Sequence, residues 1–287
     1  MLLVLGGTGK VGREVIAQLT REGIPTRALV RREHGDLGSG VQSFLGDIAD
    51  ASSVAAALRN VDRVFLLTPP RPDEGAVKSA VINACVSARV KHVVLLSGAG
   101  ARQKSPISQA REHATTEAYL RASGLGFTIL QPYFFMQNVL GQAGAIASHG
   151  AVFGNFGRGA LAMIDTRDIA AVAVACLRQE GHAGQTYVLT GGEALTHAEV
   201  ARALSALLGR PIGYVDLPSA QLAPSLAASG TPAWLARDLT LLGEEIASGQ
   251  FAEPTDVVER ICKRPPLLFE AFVRDHAATF RQALDQH

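Results

Sequence analysis

The chain of 287 residues carries 27 Lys and Arg against 26 Asp and Glu, a formal net charge of +1, with 47% hydrophobic and 18% charged residues. That length suits one large α/β domain or a domain with a smaller appendage. The near-zero charge favours neither nucleic acid nor an anionic membrane surface as a partner, and the apolar content argues against disorder.

Leu2, Leu3, Val4 and Leu5 form an apolar run that reads as a strand buried on both faces. Gly6, Gly7, Thr8 and Gly9 then crowd into a turn. Lys10, Val11 and Gly12 open an apolar-periodic helix that carries Val15, Ile16 and Leu19. The spacing Gly6-x-x-Gly9-x-x-Gly12 between a strand and a helix suits a dinucleotide. The early glycines let the backbone turn sharply and approach a pyrophosphate, and the last lets the helix pack on the strand. The pyrophosphate then rests on amides at the helix N-terminus. Lys10 faces either solvent or a phosphate.

A second strand, Thr26 to Val30, ends in Arg31-Arg32. The residue about 20 positions past the glycines discriminates between cofactors: a carboxylate there binds the ribose 2′-hydroxyl of NAD, whereas an arginine suits the 2′-phosphate of NADP. Arg31 stands in that region, and two solvated arginines are the plainer reading. A third strand, Val41 to Leu45, precedes Asp47 and Ile48. Asp47 either accepts from the adenine amino group or only caps a helical turn. Ser52 to Leu58 reads as a short helix, and Val64 to Thr68 as a fourth strand running into Pro69. Val77, Val81, Ile82 and Cys85 stripe the next helix. A fifth strand, His92 to Ser97, is followed by Gly98. This alternation predicts a right-handed, doubly wound parallel sheet of Rossmann type, an α/β fold. Ligands of such sheets bind outside the carboxyl ends of the strands. The glycine turn, Arg31, Asp47, Thr68 and Ser97 therefore share one rim.

The second half is less regular. A helix from about Ser108 to Ser123 leads to the strand Phe127 to Leu130, and an aromatic stretch follows: Pro132, Tyr133, Phe134, Phe135, then Asn138. Thr166-Arg167-Asp168 starts a helix striped by Ile169, Val172, Ala173, Cys176 and Leu177, and Thr186 to Thr190 reads as a last strand. Thr196 and Glu199 form a capping box. From Ser219 onward the pattern is helical, with breaks at Pro224, Pro232 and Pro254, and it ends on one amphipathic helix bearing Phe269, Phe272, Val273, Phe280 and Leu284. The domains expected are 1–155, with 160–192 returning to it, and a smaller, mainly helical substrate part at 193–287. Cys85, Cys176 and Cys262 show no CxxC pair and read as reduced thiols of a cytoplasmic protein. No apolar run spans a bilayer, and a strand starting at Met1 leaves no room for a leader peptide.

The segments VLGGTGKVG, LVRR, HVVLLSGAG, HATTEAYLRASGLGFTILQPYFFMQN, TRDIA and PPLLFEAFV together resemble the NmrA-like group of atypical short-chain dehydrogenases. The resemblance covers most of the chain. It implies an NADP(H)-binding Rossmann domain and a small C-terminal substrate domain, nearest in look to quinone-oxidoreductase-like and triphenylmethane-reductase-like members. The C-terminal segment is also similar to reductases of ergot-alkaloid-type pathways. The cofactor contacts so expected are Gly6, Gly7, Thr8, Gly9, Lys10, Val11, Gly12, Arg31, Asp47, Ile48, Leu67, Thr68, Pro69, Ser97, Gly98, Pro132, Tyr133, Phe134 and Phe135.

Typical short-chain dehydrogenases move a proton with a Tyr-x-x-x-Lys pair, the lysine lowering the phenol's pKa from about 10. Here the residues four beyond Tyr119, Tyr133, Tyr187 and Tyr214 are Ser123, Gln137, Gly191 and Pro218, so the pair does not exist. Many members of the resembled group carry a lysine four residues before the helix glutamate; in this chain that residue is His113, before Glu117. Ketone reduction and sugar epimerisation, which need a positioned acid or base, are disfavoured. A quinone, an iminium or a cationic dye is already electrophilic and needs only to be held against the nicotinamide of NADPH. His113 either bonds a ribose hydroxyl, acts as the acid, or is a surface histidine. Tyr133, Phe134 and Phe135 wall a flat acceptor or fill the core, and Asn138 orients an oxygen or caps a helix. His182, His197 and His276 show no metal-ligand spacing, so no metal is expected. The partner expected is a small-molecule substrate; monomer and homodimer both remain open. The rival reading is a non-enzymatic NADP(H) sensor.

Overall fold

The computed structural model describes residues 1–32, 37, 38 and 40–285. The first half runs β1 (Leu2–Val4), α1 (Lys10–Arg21), β2 (Thr26–Val30), β3 (Val41–Leu45), α2 (Ala51–Ala57), β4 (Arg63–Leu66), α3 (Glu74–Ser87), β5 (His92–Leu96), α4 (Ser108–Ala122) and β6 (Gly126–Pro132), strands alternating with helices except that β3 follows β2 directly among the described residues. A short 3-10 turn, Met136–Gln142, leads to α5 (Ala143–His149), β7 (Ala151–Gly154), β8 (Ala160–Leu161), α6 (Thr166–Arg178) and β9 (Gln185–Leu189). The remainder comprises β10 (Leu195–Thr196), α7 (His197–Leu208), β11 (Gly213–Asp216), α8 (Ser219–Ala228), α9 (Ala233–Ala247), α10 (Val257–Cys262), α11 (Phe269–Asp275) and α12 (Ala277–Asp285). None of these helices is long and apolar enough to cross a membrane.

The chain divides into two compact units. The first holds Met1–Pro132, Thr166–Leu189 and Arg260–Lys263. Its seven strands form one parallel sheet in the order β3-β2-β1-β4-β5-β6-β9, the doubly wound α/β arrangement that the alternation predicts. The order runs outward in both directions from β1 and β4, so the crevice at the switch point lies beside the glycine turn. Burial on both faces explains the unbroken apolar strands: Leu3, Val4, Val64, Phe65, Val93, Val94 and Leu95 are fully buried. Edge strand β3 is only partly covered, and Leu45 is exposed.

The second unit holds Tyr133–Asp165, Thr190–Glu259 and Arg264–His287. Residues 133–155, grouped with the first domain on sequence, belong to this unit, because β7 pairs with β11 in a small parallel ladder. Two-residue β8 pairs with β10. Both small ladders escape periodicity, since strands this short carry no repeat to read. Pro224 sits inside α8 rather than ending a helix, and the last amphipathic stretch is two helices that meet at His276. The capping box of Thr196 and Glu199 forms as expected: the threonine hydroxyl accepts from the Glu199 amide, and the glutamate accepts from the Thr196 amide.

Candidate active site

The glycine turn is built by packing at three of its four glycines. Gly6 has φ +76°, a conformation side chains rarely adopt, and a β-carbon there would lie 2.7 Å from the Leu67 carbonyl oxygen. A β-carbon on Gly7 would meet Ile16 at 2.6 Å, and one on Gly12 would meet the Gly6 carbonyl at 2.1 Å. Gly9 differs. Among the described residues its one neighbour would be the Gly6 oxygen at 3.4 Å, an ordinary contact, and its φ of −81° suits any residue. Among the described residues, no side chain caps the α1 amides that open on Gly9. Among the described residues this space is open, directly before a helix N-terminus, a position that would suit a pyrophosphate. Arg13 holds the turn from behind, its Nε donating to the Thr8 carbonyl at 2.9 Å. Lys10 is exposed beside it.

Arg31 emerges exposed directly after β2. Asp47 Oδ1 accepts from the Ala49 amide at 2.9 Å in a local turn, and the residue that caps α2 is Asp50, which accepts from the amides of Ser52 and Ser53. The two serine hydroxyls, with those amide bonds, hold the Asp50 carboxyl at about 2. Ile48 packs on the core from the same loop.

At the ends of β4 and β5 lies a buried charged cluster that sequence reasoning missed. Glu74 and Lys78, one turn apart on α3, are 2% and 1% exposed, with Lys78 Nζ at 2.5 Å from Glu74 Oε1. Lys78 also donates to the Leu96 carbonyl at 3.1 Å. The Thr68 hydroxyl donates to Glu74 Oε1 at 3.1 Å, and Gln109 of α4 donates to Oε2 at 3.3 Å. Burial works to raise the Glu74 pKa, but Lys78, His113 and these bonds keep it below the usual carboxylate value. His113 of α4 points Nδ1 at Glu74 Oε1 from 3.7 Å, with no hydrogen bond to Nδ1. Burial first, then the Lys78 charge, push its pKa down to about 4, against a smaller pull from Glu74. At that value His113 is a neutral imidazole near pH 7, the form that accepts or donates a hydrogen bond rather than giving up a charge. It is not a surface histidine. Its ring packs on Gly98, where a β-carbon would sit 3.2 Å from Nε2.

Beside it, the Ser97 hydroxyl donates to Glu117 Oε1 at 2.6 Å, and Gln131 donates to the same oxygen at 2.8 Å. Arg121 pairs with Oε2 at 3.2 Å. The Ala99 amide donates to the Pro132 carbonyl, tying the loop after β5 to the end of β6. Thr68, Ser97, Gly98, His113 and Pro132 thus come together. Leu67 meets the glycine turn through Gly6, and Pro69 is exposed just beyond.

The aromatic stretch belongs to the second unit. Tyr133 stands edge-on to Phe251 at 5.2 Å and Phe134 edge-on to Phe156 at 6.1 Å; Tyr133, Phe134 and Phe135 are all only partly buried. Burial, then Glu253, raise the Tyr133 pKa, the opposite of what a proton donor near neutrality needs. The Phe134 carbonyl accepts from the Ile164 amide, and Asn138 lies in the 3-10 turn that follows, its amide donating to the Phe135 carbonyl. Among the described residues no group of three or more His, Cys, Asp and Glu could hold a metal ion.

The chain is 40% identical to an NAD(P)H azoreductase of Xenophilus azovorans, over 99% of this chain and 100% of that one. It is 35% identical to a (4-alkanoyl-5-oxo-2,5-dihydrofuran-3-yl)methyl phosphate reductase of Streptomyces griseus, over 98% and 99%. An Escherichia coli NADPH-dependent quinone oxidoreductase, solved in complex with NADPH, superposes with a TM-score of 0.87 at 28% identity, covering 97% of this chain and 100% of the other. The family model described as NAD(P)H-binding matches residues 6–180, which begin at the glycine turn and run just past the end of α6. The chain belongs to this NAD(P)H-binding family, within the NmrA-like atypical short-chain dehydrogenases.

Proposed function

We propose that the chain is an NADPH-dependent reductase that passes hydride to a planar, electron-poor small molecule such as a quinone, an azo or arylmethane dye, or an iminium. The observation that carries this reading is the missing Tyr-x-x-x-Lys pair: the residues four beyond Tyr119, Tyr133, Tyr187 and Tyr214 are Ser123, Gln137, Gly191 and Pro218. A site without an acid suits an acceptor that is already electrophilic. The relatives' names, an azoreductase, a quinone oxidoreductase and a furanyl-phosphate reductase, have in common a conjugated acceptor.

Bound in the site, NADPH supplies the hydride from its nicotinamide. In this reading the open space at Gly9 and the first amides of α1, with Thr8, Lys10 and Val11, receive the pyrophosphate. Arg31 takes the 2′-phosphate, and Asp47 and Ile48 flank the adenine. Leu67, Thr68, Pro69, Ser97, Gly98 and Pro132 continue the contact along the strand ends, and His113 accepts a hydrogen bond from a ribose hydroxyl. Tyr133, Phe134 and Phe135 form the apolar wall for the acceptor, with Asn138 orienting one of its oxygens. The first unit is then the cofactor-binding part and the second the substrate part. Holding two reactants at near-attack geometry is worth ~7–11 kcal/mol of barrier, and water supplies any proton. Cys85 and Cys176 are buried thiols and Cys262 is a half-buried one, none in a disulfide, which suits a reducing cytoplasm.

A single-turnover experiment tests the reading. The NADPH complex is mixed with quinones, azo dyes, cationic dyes and iminium compounds while the reduced-nicotinamide absorbance is followed. At least one acceptor reacts much faster than it does with free NADPH. No acceleration across the panel, with tight NADPH binding confirmed, overturns the reductase in favour of a sensor that changes its affinity for a protein between the NADPH and NADP⁺ states.

A further inference from the structure

We propose that Glu74 and Lys78 are positioning residues, a buried charge pair that directs the His113 Nδ1 proton toward Glu74 and leaves Nε2 as a hydrogen-bond acceptor for the cofactor's ribose. The inference rests on the cofactor reading above and assigns a task to a pair that the reductase chemistry does not otherwise use.

The geometry has three parts. First, the pair is complete in itself: one cation and one anion, both fully enclosed, with Thr68, Gln109 and the Leu96 carbonyl filling further positions. A third charge beside it, on His113, has no counterion left to meet it. Second, Nδ1 is buried with no hydrogen bond and lies 3.7 Å from the shared oxygen Glu74 Oε1. That is too far for a hydrogen bond, but near enough that a lone pair on Nδ1 would face a carboxylate and an N–H there is drawn to it. Third, the other ring nitrogen sits against Gly98, on the rim where ligands of a doubly wound sheet bind. With the proton on Nδ1, Nε2 presents a lone pair to that rim.

The other charged and titratable groups around His113 are engaged elsewhere. On α4, Glu112 accepts from the Gly75 amide at 2.7 Å, and Glu117 is held by Ser97, Gln131 and Arg121. From α3 Glu74 and Lys78 face the ring, β4 contributes Thr68 through Glu74, and the end of β5 contributes Ser97 and Gly98. Removing the Lys78 charge therefore has a defined consequence. Either His113 takes up a proton, or Glu74 does and donates it to Nδ1. Both outcomes convert Nε2 from an acceptor to an N–H.

The test uses the full chain, Lys78→Met, and the double variant Lys78→Met with Glu74→Gln. Histidine ¹⁵N resonances, with His113 identified by its loss in His113→Gln, report which nitrogen is protonated without any cofactor present. NADPH dissociation constants are measured beside them from pH 5.5 to 8.5. The native protein shows His113 protonated on Nδ1 alone and an affinity that changes over that range only with the cofactor's own 2′-phosphate. Lys78→Met shows an Nε2 proton and binds NADPH about ten-fold more weakly near pH 6, roughly the loss of one hydrogen bond. In the double variant the side-chain amide carbonyl introduced by Glu74→Gln again accepts from Nδ1, and affinity returns to within about three-fold of native. A pair that serves only the fold predicts an unchanged His113 tautomer in Lys78→Met, with any loss of affinity following the loss of stability. If Lys78→Met does not fold, the native spectrum and the double variant still decide the matter. An Nε2 proton in the native protein overturns the proposal, as does unchanged affinity in a folded Lys78→Met. Failure of the native protein to bind NADPH overturns the cofactor reading and the ribose contact with it, while the Nδ1 tautomer is read independently of both.

Discussion

The glycine turn and the buried charge cluster lie on the same rim of the first unit, yet they are specified in opposite ways. The turn is written in consecutive residues between β1 and α1. Three of its glycines answer to packing within the protein, whereas at Gly9 the described residues impose no such demand. The cluster is assembled from the end of β4, one face of α3 and the first half of α4, with Thr68, Glu74, Lys78, Gln109 and His113 separated by loops. A glycine that fits no steric need points outward to a ligand. A charge pair with every partner inside the fold points inward, and acts on ligands only through the neighbour it orients. Substitutions in the two regions should accordingly separate binding from stability in opposite senses.

The largest effect expected is on the cluster. Lys78→Ala strips Glu74 of its buried counterion and forces a proton onto Glu74 or His113, which should cost about 3–5 kcal/mol of stability in a denaturant titration near neutral pH. A loss under about 1 kcal/mol that does not change between pH 6 and pH 8 would mean that the carboxylate has found water rather than a proton, and the cluster would not be the closed unit described. Within the turn the contrast is sharper. Gly12→Ala forces a β-carbon into the Gly6 carbonyl, and overpacking of this kind should cost about 1–3 kcal/mol. Gly9→Val should leave the melting curve almost unchanged while NADPH binding disappears from a calorimetric titration. Equal stability losses at the two glycines would erase the distinction between packing and ligand. Next comes Arg31→Ala, which removes a charge-assisted contact worth ~1.5–3 kcal/mol, so the native preference for NADPH over NADH should be on the order of ten- to a hundred-fold and should mostly vanish. Equal dissociation constants for the two cofactors in the native protein would refute that role. The smallest effects separate two neighbours: Asp50→Ala should lower the melting temperature slightly with no change in affinity, because it caps α2, whereas Asp47→Ala should weaken cofactor binding.

What the sequence made legible follows the same division. Strands buried on both faces read as apolar runs, and the alternation with helices led to the parallel sheet because each βαβ unit is a local pattern with one permitted hand. The glycine turn was legible for the same reason. Lys78 was not, because an i,i+4 Glu-Lys pair on a helix ordinarily marks a solvated face. Its position among Val77, Val81 and Ile82 was the one available signal of burial. His113 could be placed on its helix, but its charge state depends on α3, which no spacing along the chain reveals. The end of the first unit was misplaced for a similar reason: β7 is four residues long and finds its partner β11 far along the chain. Pro224 was read as a break because proline usually ends a helix, yet α8 continues through it.

The central claim is direct hydride transfer to an acceptor that needs no acid from the protein. A single turnover with NADPH deuterated at the transferring position of the nicotinamide, against a cationic arylmethane dye, tests it most directly. The account predicts that the deuterium appears in the reduced dye, with a rate slowed by the isotope and flat between pH 5.5 and 8.5, because His113 stays neutral above about 4. Reduced dye without deuterium, or a rate that falls with the loss of one proton in that range, would contradict it.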